Sequence, residues 1–157
     1  IFLETSSTKV DDPQFNFKHL NKDWGHKNWS NLVDKIKNDY LVVQIVHEKT
    51  KKIHGIFHTD KMDFRTACAT LNETDFFVGP EGGFGHVAAA LKKRAVIYFG
   101  GWNSPDDLSY DFHQHIFYKH PLSPCGQMKK MCSHCNEARD SISVELFFEH
   151  IKKLEYS

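Results

Sequence analysis

Four glycines, a glutamate and a histidine fall within the eight residues Gly79-Pro80-Glu81-Gly82-Gly83-Phe84-Gly85-His86. Glycine turns without a Cβ penalty and lets a ligand approach the backbone closely, so such a run leaves room for something. Its flanks say what it joins. Asp75 to Val78 is a short apolar run, and Phe84, Val87, Ala88 and Leu91 then recur at i, i+3, i+4 and i+7, the stripe of a helix. A strand that turns through glycines into a helix offers unpaired N–H groups and the positive end of a dipole, which together bind phosphate or another anion. A nucleotide phosphate is the expected ligand. His86 lies roughly 200° round the helix from Phe84, off the buried stripe and towards the crevice. A lone histidine is often only a surface ring that packs locally; beside Glu81 and four glycines, a role at the ligand is favoured.

A second set of chemically capable residues is Cys125-x6-Cys132-x2-Cys135. A C-x-x-C pair is half of a common zinc site, and His113, His115, His120 or His134 could complete a tetrahedral Cys3His set. Three thiolates and an imidazole leave no open position, so the expected role is structural. Free thiols, or a disulfide formed on oxidation, are the simpler alternatives. The fourth cysteine, Cys68, sits on a helical apolar stripe and reads as a small core residue.

These residues need elements to position them. Residues 1 to 4 read as a strand and are followed by a polar, proline-containing loop to about Phe17. Trp29, Leu32, Val33 and Ile36 predict a helix with Asn28 as its N-cap. Tyr40 to His47 reads as a strand buried on both faces, and Ile53 to Phe57 as a shorter one. Phe64, Ala67, Cys68 and Leu71 form the next helical stripe, with Asp63 as cap, and the strand–turn–helix unit follows. Trp102 to Asp140 shows no strong periodicity. The chain closes on a helix with Val144, Phe147, Phe148, Ile151 and Leu154 on one face and Ser143 near its start. Alternating strands and helices predict a parallel α/β sheet covered on both faces, with the ligand crevice beyond the carboxyl ends of the strands. Lys22, His47 with Glu48, His58 to Met62, the glycine turn and Gly100-Gly101 are expected at that edge.

With 157 residues the chain is expected to form one domain with a real core. Twenty basic and twenty acidic residues leave no net charge to draw it to nucleic acid. Its apolar runs are far shorter than a membrane span, and its start has no signal-peptide pattern. Four cysteines are too few for a disulfide framework at this size, so a reducing cytoplasm is expected. Because it begins with Ile1, the chain is expected to be part of a longer protein.

No glycine is followed by the Lys-Ser/Thr of a P-loop. Gly83-x-Gly85-x-x-Ala88 matches a dinucleotide fingerprint, with Asp106 about 20 residues on. In that fingerprint, however, the strand runs almost straight into the first glycine of the first βα unit, whereas Pro80-Glu81-Gly82 intervene here and the unit falls mid-chain. An NAD-type domain is therefore the less favoured reading.

The run from Gly79 through Phe84, Gly85 and His86 to Ala90 resembles the D-[ST]-G-x-x-H-x-A-A signature of glycosyltransferase family 9, the ADP-heptose:lipopolysaccharide heptosyltransferases, in a variant reading G-P-E-G-G. Lys22-Asp23-Trp24 is similar to the family's K-x-W segment, and Lys61-Met62 precedes the signature at the family's spacing. Pro124-Cys125, the later cysteines, Ile142 and the final helix also have counterparts. The likeness runs over residues about 15 to 155 and implies only the C-terminal, donor-binding half of a GT-B enzyme, with the N-terminal acceptor domain expected to lie outside this sequence.

The resemblance implies a Rossmann-like fold and an inverting, metal-independent transfer from a nucleotide sugar, an ADP-sugar above all, in lipopolysaccharide or surface-glycan synthesis. Lys22 would neutralise the donor diphosphate. The turn of Glu81, Gly82, Gly83 and Phe84 would present backbone amides to it, Gly79 would belong to the same donor site, and His86 would assist at the phosphates or the sugar. Met62 would pack on the base and Glu48 would hold the ribose. A helix N-terminus with a lysine can stabilise a leaving diphosphate without a cation, so no cofactor is expected for catalysis. The catalytic base and the lipid-linked or glycan acceptor would belong to the other domain, leaving this piece able to bind donor but not to transfer sugar. A cytoplasmic place follows, with peripheral association at the inner membrane left open for the full-length protein. Two departures, Glu81 where the family usually has Asp and Gly82 in place of a hydroxyl, bear on the identity of the sugar. The reading of a different class is a non-catalytic nucleotide-binding or zinc-stabilised interaction module.

Overall fold

The computed structural model describes residues 1–5, 21–47, 50–127, 130 and 132–156. Among them six parallel strands form one sheet in the order β3-β2-β1-β4-β5-β6: β1 Phe2–Leu3, β2 Val43–Gln44, β3 Phe57–His58, β4 Phe76–Pro80, β5 Arg94–Gly100 and β6 Gln114–Phe117. Among the described residues six full helices accompany it: α1 His26–Ile36, α2 Phe64–Asn72, α3 Gly83–Ala90, α4 Pro105–Leu108, α5 Ser133–Ser141 and α6 Val144–Glu155. None is long and apolar enough to cross a membrane.

The strands explain the two-sided cover. Successive side chains point to opposite faces, and in β5 Val96 and Tyr98 join one buried cluster while Ala95, Ile97 and Phe99 join the other. The first cluster takes Trp29, Leu32, Val33 and Ile36 of α1 with Phe147, Ile151 and Leu154 of α6. The second takes Ala67 and Leu71 of α2 with Phe84 and Ala88 of α3. Both faces of β4 and β5 are thus dry, as expected of a parallel sheet under helices.

The strand order reverses between β1 and β4, the point at which such sheets open a crevice at their carboxyl ends. There the chain is tightly packed. Glu4 donates its N–H to the Val78 carbonyl at 3.0 Å, and a Cβ on Gly79 would stand 2.7 Å from Phe77 Cζ and 3.1 Å from the Glu4 backbone oxygen.

Several elements differ from the sequence expectation. Helix α1 starts at His26 behind Gly25, which has φ 91°, so Asn28 is not its cap. The Asn28 amide instead donates to the Trp24 carbonyl at 2.8 Å. Only Val43–Gln44 and Phe57–His58 pair as strands where longer runs were expected. The Gln44 side chain takes over what a longer ladder would do: its Oε1 accepts from Ile53 N–H at 2.9 Å, and its Nε2 donates to Thr5 Oγ1 and the Lys51 carbonyl. Asp63 and Ser143 do cap α2 and α6, accepting from Thr66 and Leu146 N–H. The aperiodic region 102–140 contains α4, β6 and α5.

Candidate functional site

The end of β4 feeds the glycine turn. Glu81 N–H donates to the Tyr98 carbonyl at 2.9 Å, so the ladder continues past Pro80 and this amide is committed to the sheet rather than offered to a ligand. That corrects the expectation for Glu81. The first bond inside α3 runs from Gly85 N–H to the Gly82 carbonyl at 3.1 Å; the N–H groups of Gly83 and Phe84 precede it at the helix start, where no carbonyl stands behind them. None of these four glycines is among those with left-handed backbone, so the turn does not need glycine for its angles. The reason is space. A Cβ at Gly79 would collide with its neighbours, whereas at Gly83 it would meet nothing within 4 Å. Packing demands the first glycine and is indifferent to the second, which leaves an approach to the amides open.

Lys22 comes to this turn from a distant part of the chain. It is 7% exposed, and its ammonium donates to the Glu81 carbonyl at 2.9 Å, with a Glu81 carboxylate oxygen at 3.5 Å. Its Nζ lies 3.9 Å from where a Gly82 Cβ would be. A cation thus stands at the positive end of α3, and the two reinforce one another towards an anion. Asn103 donates to the same carboxylate oxygen at 3.4 Å. Phe84 is buried against Phe2, Phe77 and Phe64, with the His47 ring stacked at 6.3 Å.

On the other side of the turn a small open cleft is lined by Glu81, Gly82, Gly85, His86, Tyr110 and His113. His86 is exposed there, off the buried stripe as expected. Its Nδ1 shares a hydrogen bond of 3.0 Å with the Tyr110 hydroxyl. His113 bonds the Lys93 carbonyl through Nε2 at 3.1 Å; burial holds its pKa below the ordinary histidine value although that carbonyl opposes the shift.

Lys22, Gly79, Glu81, Gly82, Gly83, Phe84 and His86 are therefore brought to one turn. Met62 lies before α2, half-buried against the cluster that holds Phe84. Glu48 lies outside the described residues. Sequence reasoning missed Tyr110 and Asn103, which sit in the stretch without periodicity and have no motif to announce them.

The cysteines also converge. Ligand atoms of Cys125, Cys132, His134 and Cys135 lie within 4.8 Å of one another, which selects His134 from the four histidines considered. Sγ of Cys125 and Cys135 are 3.1 Å apart. A zinc tetrahedron with bonds of about 2.3 Å has edges of about 3.8 Å, so the four atoms need only small shifts to surround an ion. His134 supplies the sharper test of fit. Its Nε2 bonds Ser123 Oγ at 2.7 Å, while Nδ1 is buried with no hydrogen-bond partner. An orphaned ring nitrogen whose twin is held by a hydroxyl is the arrangement of a metal-ligating imidazole. Burial opposes ionisation of the Cys132 thiol, but the Cys135 amide, the Cys125 and Cys135 thiols and the His134 amide outweigh it and lower the pKa. Burial and the neighbouring thiols raise that of Cys135. The residues fit a thiophilic ion.

The fold is shared with known enzymes. Bacterial iron-containing dodecameric glycosyltransferase TibC from enterotoxigenic E. coli H10407 superimposes with a TM-score of 0.73 at 18% identity, over 99% of this chain and 44% of TibC. E. coli heptosyltransferase WaaC, solved with ADP, gives 0.64 at 11% identity, over 97% of this chain and 43% of WaaC. E. coli ADP-heptose lps heptosyltransferase II gives 0.68 at 16%, over 98% and 46%. The chain thus spans less than half the length of these proteins. No curated protein sequence matches it. The sequence model of glycosyltransferase family 9 (heptosyltransferase) matches residues 13–129, most of the chain and all of the glycine turn, and on that match the chain belongs to glycosyltransferase family 9.

Proposed function

We propose that this chain is the donor-binding, C-terminal part of a GT-B glycosyltransferase and holds the diphosphate of an ADP-sugar at the glycine turn. The observation that carries the reading is Lys22, nearly buried and 2.9 Å from the Glu81 carbonyl, at the N-terminus of α3. In this reading the Lys22 ammonium and the amides of Gly83 and Phe84 bind the phosphate oxygens. They compensate the charge that grows on the leaving diphosphate, with no cation at that step. His86, held by Tyr110, reaches the phosphates or the sugar. Met62 lines the base side and Glu48 meets the ribose. Inverting transfer to a lipid-linked or glycan acceptor needs a base within about 3 Å of the acceptor hydroxyl. That base is assigned to an acceptor-binding domain, in a protein working on the cytoplasmic side of the inner membrane in surface-glycan synthesis. TibC is an iron-containing relative in fold, and WaaC was solved with ADP; both support the reading.

At the second site, Cys125, Cys132, Cys135 and His134 Nδ1 would hold one zinc or iron ion, closed to substrate by its four protein ligands and therefore structural. When bound, the ion supplies a cross-link between the loop of Cys125 and the start of α5. Elemental analysis of protein purified without a metal-affinity step distinguishes zinc, iron and no metal.

Calorimetric titration with ADP, GDP and UDP tests the donor site. ADP should bind, and Lys22→Ala should weaken it by about 1.5 to 3 kcal/mol, the range for a hydrogen bond to a charged group. Equal affinity in a folded variant, or no nucleotide binding by the wild type, overturns the assignment.

A further inference from the structure

Lys22 owes its position to the residues on either side of it. Two places on, Trp24 is fully buried among Trp29, Tyr98 and Phe147, with its indole N–H on the Ile142 carbonyl at 3.1 Å. That anchor belongs to the core. One place before, Asn21 is 2% exposed and commits its whole amide to the cysteine-bearing loop. Its Nδ2 donates to the carbonyls of Gln127 at 2.8 Å and Lys130 at 3.0 Å, and its Oδ1 accepts from Cys132 N–H at 2.9 Å. No other side chain type of that size carries two donors and an acceptor on one carbon, so Asp could keep the Cys132 bond but would face two carbonyls with a carboxylate.

The same loop reaches the site from a second direction. Cys125 N–H donates to the Gly101 carbonyl and Gly126 N–H to that of Trp102, each at 3.0 Å, and Trp102 Nε1 donates to the Gln127 carbonyl at 3.2 Å. The Trp102 ring lies 5.7 Å from Lys22 Nζ. Two of the three thiols, Cys125 and Cys132, therefore sit on the segment that clamps the residue before Lys22 and supports the ring beside its ammonium. Neither contact is part of the sheet, so both depend on the shape of the loop.

We propose that Asn21 is a positioning residue that couples the Cys3His centre to the Lys22 ammonium, so that a metal in the centre and a nucleoside diphosphate at the turn each strengthen the binding of the other. This rests on the reading of the glycine turn as the donor site. The coupling must be reciprocal: the factor by which the metal changes ADP affinity is the factor by which ADP changes metal affinity. A purely architectural Asn21 would lower stability and leave that factor at one.

The test is ADP calorimetry on the full chain, zinc-loaded and chelator-stripped, for wild type, Asn21→Asp, Lys22→Ala and the double variant, with zinc competition against a chromogenic chelator at zero and saturating ADP. Stripping zinc from the wild type should weaken ADP about tenfold, within the usual range for allosteric coupling, and ADP should tighten zinc by the same factor. Asn21→Asp should bind ADP as weakly as the stripped protein and lose its response to zinc. In the Lys22→Ala background it should cost nothing further, as expected when one residue acts through the other. ADP binding by wild type that ignores both zinc and Asn21→Asp, or losses that add in full in the double variant, overturns the coupling alone. A wild type that binds no ADP overturns the site reading and the coupling with it, and one that takes up no zinc overturns the coupling. Should Asn21→Asp not fold, the wild-type arms decide on their own.

Discussion

The glycine turn follows β4 and the thiol centre follows β6, and the two are built by different means. The turn is an extension of the sheet: the β4–β5 ladder runs on through Glu81 N–H to the Tyr98 carbonyl, and Glu4 locks against Val78. The centre instead gathers a loop and the first turn of α5, whose N-cap, Cys132, makes no side-chain capping bond. Ligand atoms of three thiols and His134 lie within 4.8 Å of one another, on segments tied by Asn21, Gly101 and Trp102 rather than by strand pairing. The difference teaches that the turn takes its shape from the sheet ladder, whereas the ligand atoms of the centre should be drawn into coordination by an occupant.

The largest effect expected from that contrast is metal removal. At free zinc about 1,000 times its dissociation constant the centre should add about 4 kcal/mol to stability. Chelation should lower the thermal midpoint accordingly. Amide exchange should rise in residues 120–127 and 132–135 and stay unchanged in β4 and β5. Equal protection of both regions with and without chelator would break the contrast.

Within the turn itself two glycines separate packing from ligand access. Gly79→Ala drives a Cβ to 2.7 Å from Phe77 Cζ and should cost about 1 to 3 kcal/mol of stability, as overpacking does. Gly83→Ala meets nothing within 4 Å, so denaturant unfolding should be unchanged, while ADP affinity should fall because the new methyl stands at the approach to the amides. Unaltered ADP binding in that variant would move the ligand away from the turn.

These two glycines also show what could be read in the sequence. That a glycine turn joins a strand to a helix was legible from spacing, as were the cap Asp63 and the stripe of α6, because each rests on a local period or a local hydrogen bond. Why each glycine is there was not: Gly79 answers to Glu4, 75 places away. Strand β6 has one buried residue, Ile116, and α5 reads S-H-C-N-E-A-R-D-S with burial only at His134, Cys135 and Ala138. Neither has an apolar period to find. The three cysteines marked a candidate metal site by type and spacing; the choice of His134 needed the fold.

A smaller effect concerns pH. Burial lowers the pKa of His113, His115 and His150 below the ordinary histidine value, so the unfolded chain takes up protons at these sites before the folded one does. Stability should therefore rise as pH climbs from the lowered values to about 6.5 and level off above it. Urea unfolding in a metal-free sample between pH 5 and 8 measures this; a flat profile would mean that the rings are solvated as well in the fold as out of it.

The smallest effect asks whether the turn is tuned for an anion or neutralised against one. Lys22 is positioned by the Glu81 carbonyl at 2.9 Å, with the carboxylate further off at 3.5 Å. The main chain, not the charge, holds the ammonium in place. The carboxylate then acts on a diphosphate mainly by repulsion, offset in part by Asn103, which donates to it at 3.4 Å. Glu81→Gln keeps the carbonyl and the size of the side chain and removes that charge. ADP should bind more tightly, by less than about 1 kcal/mol, with the gain shrinking as salt is raised because screening weakens what the charge was opposing. Weaker binding would show that the carboxylate, rather than the carbonyl, aims Lys22, and the pre-organisation assigned to the backbone of this turn would then belong to an ion pair.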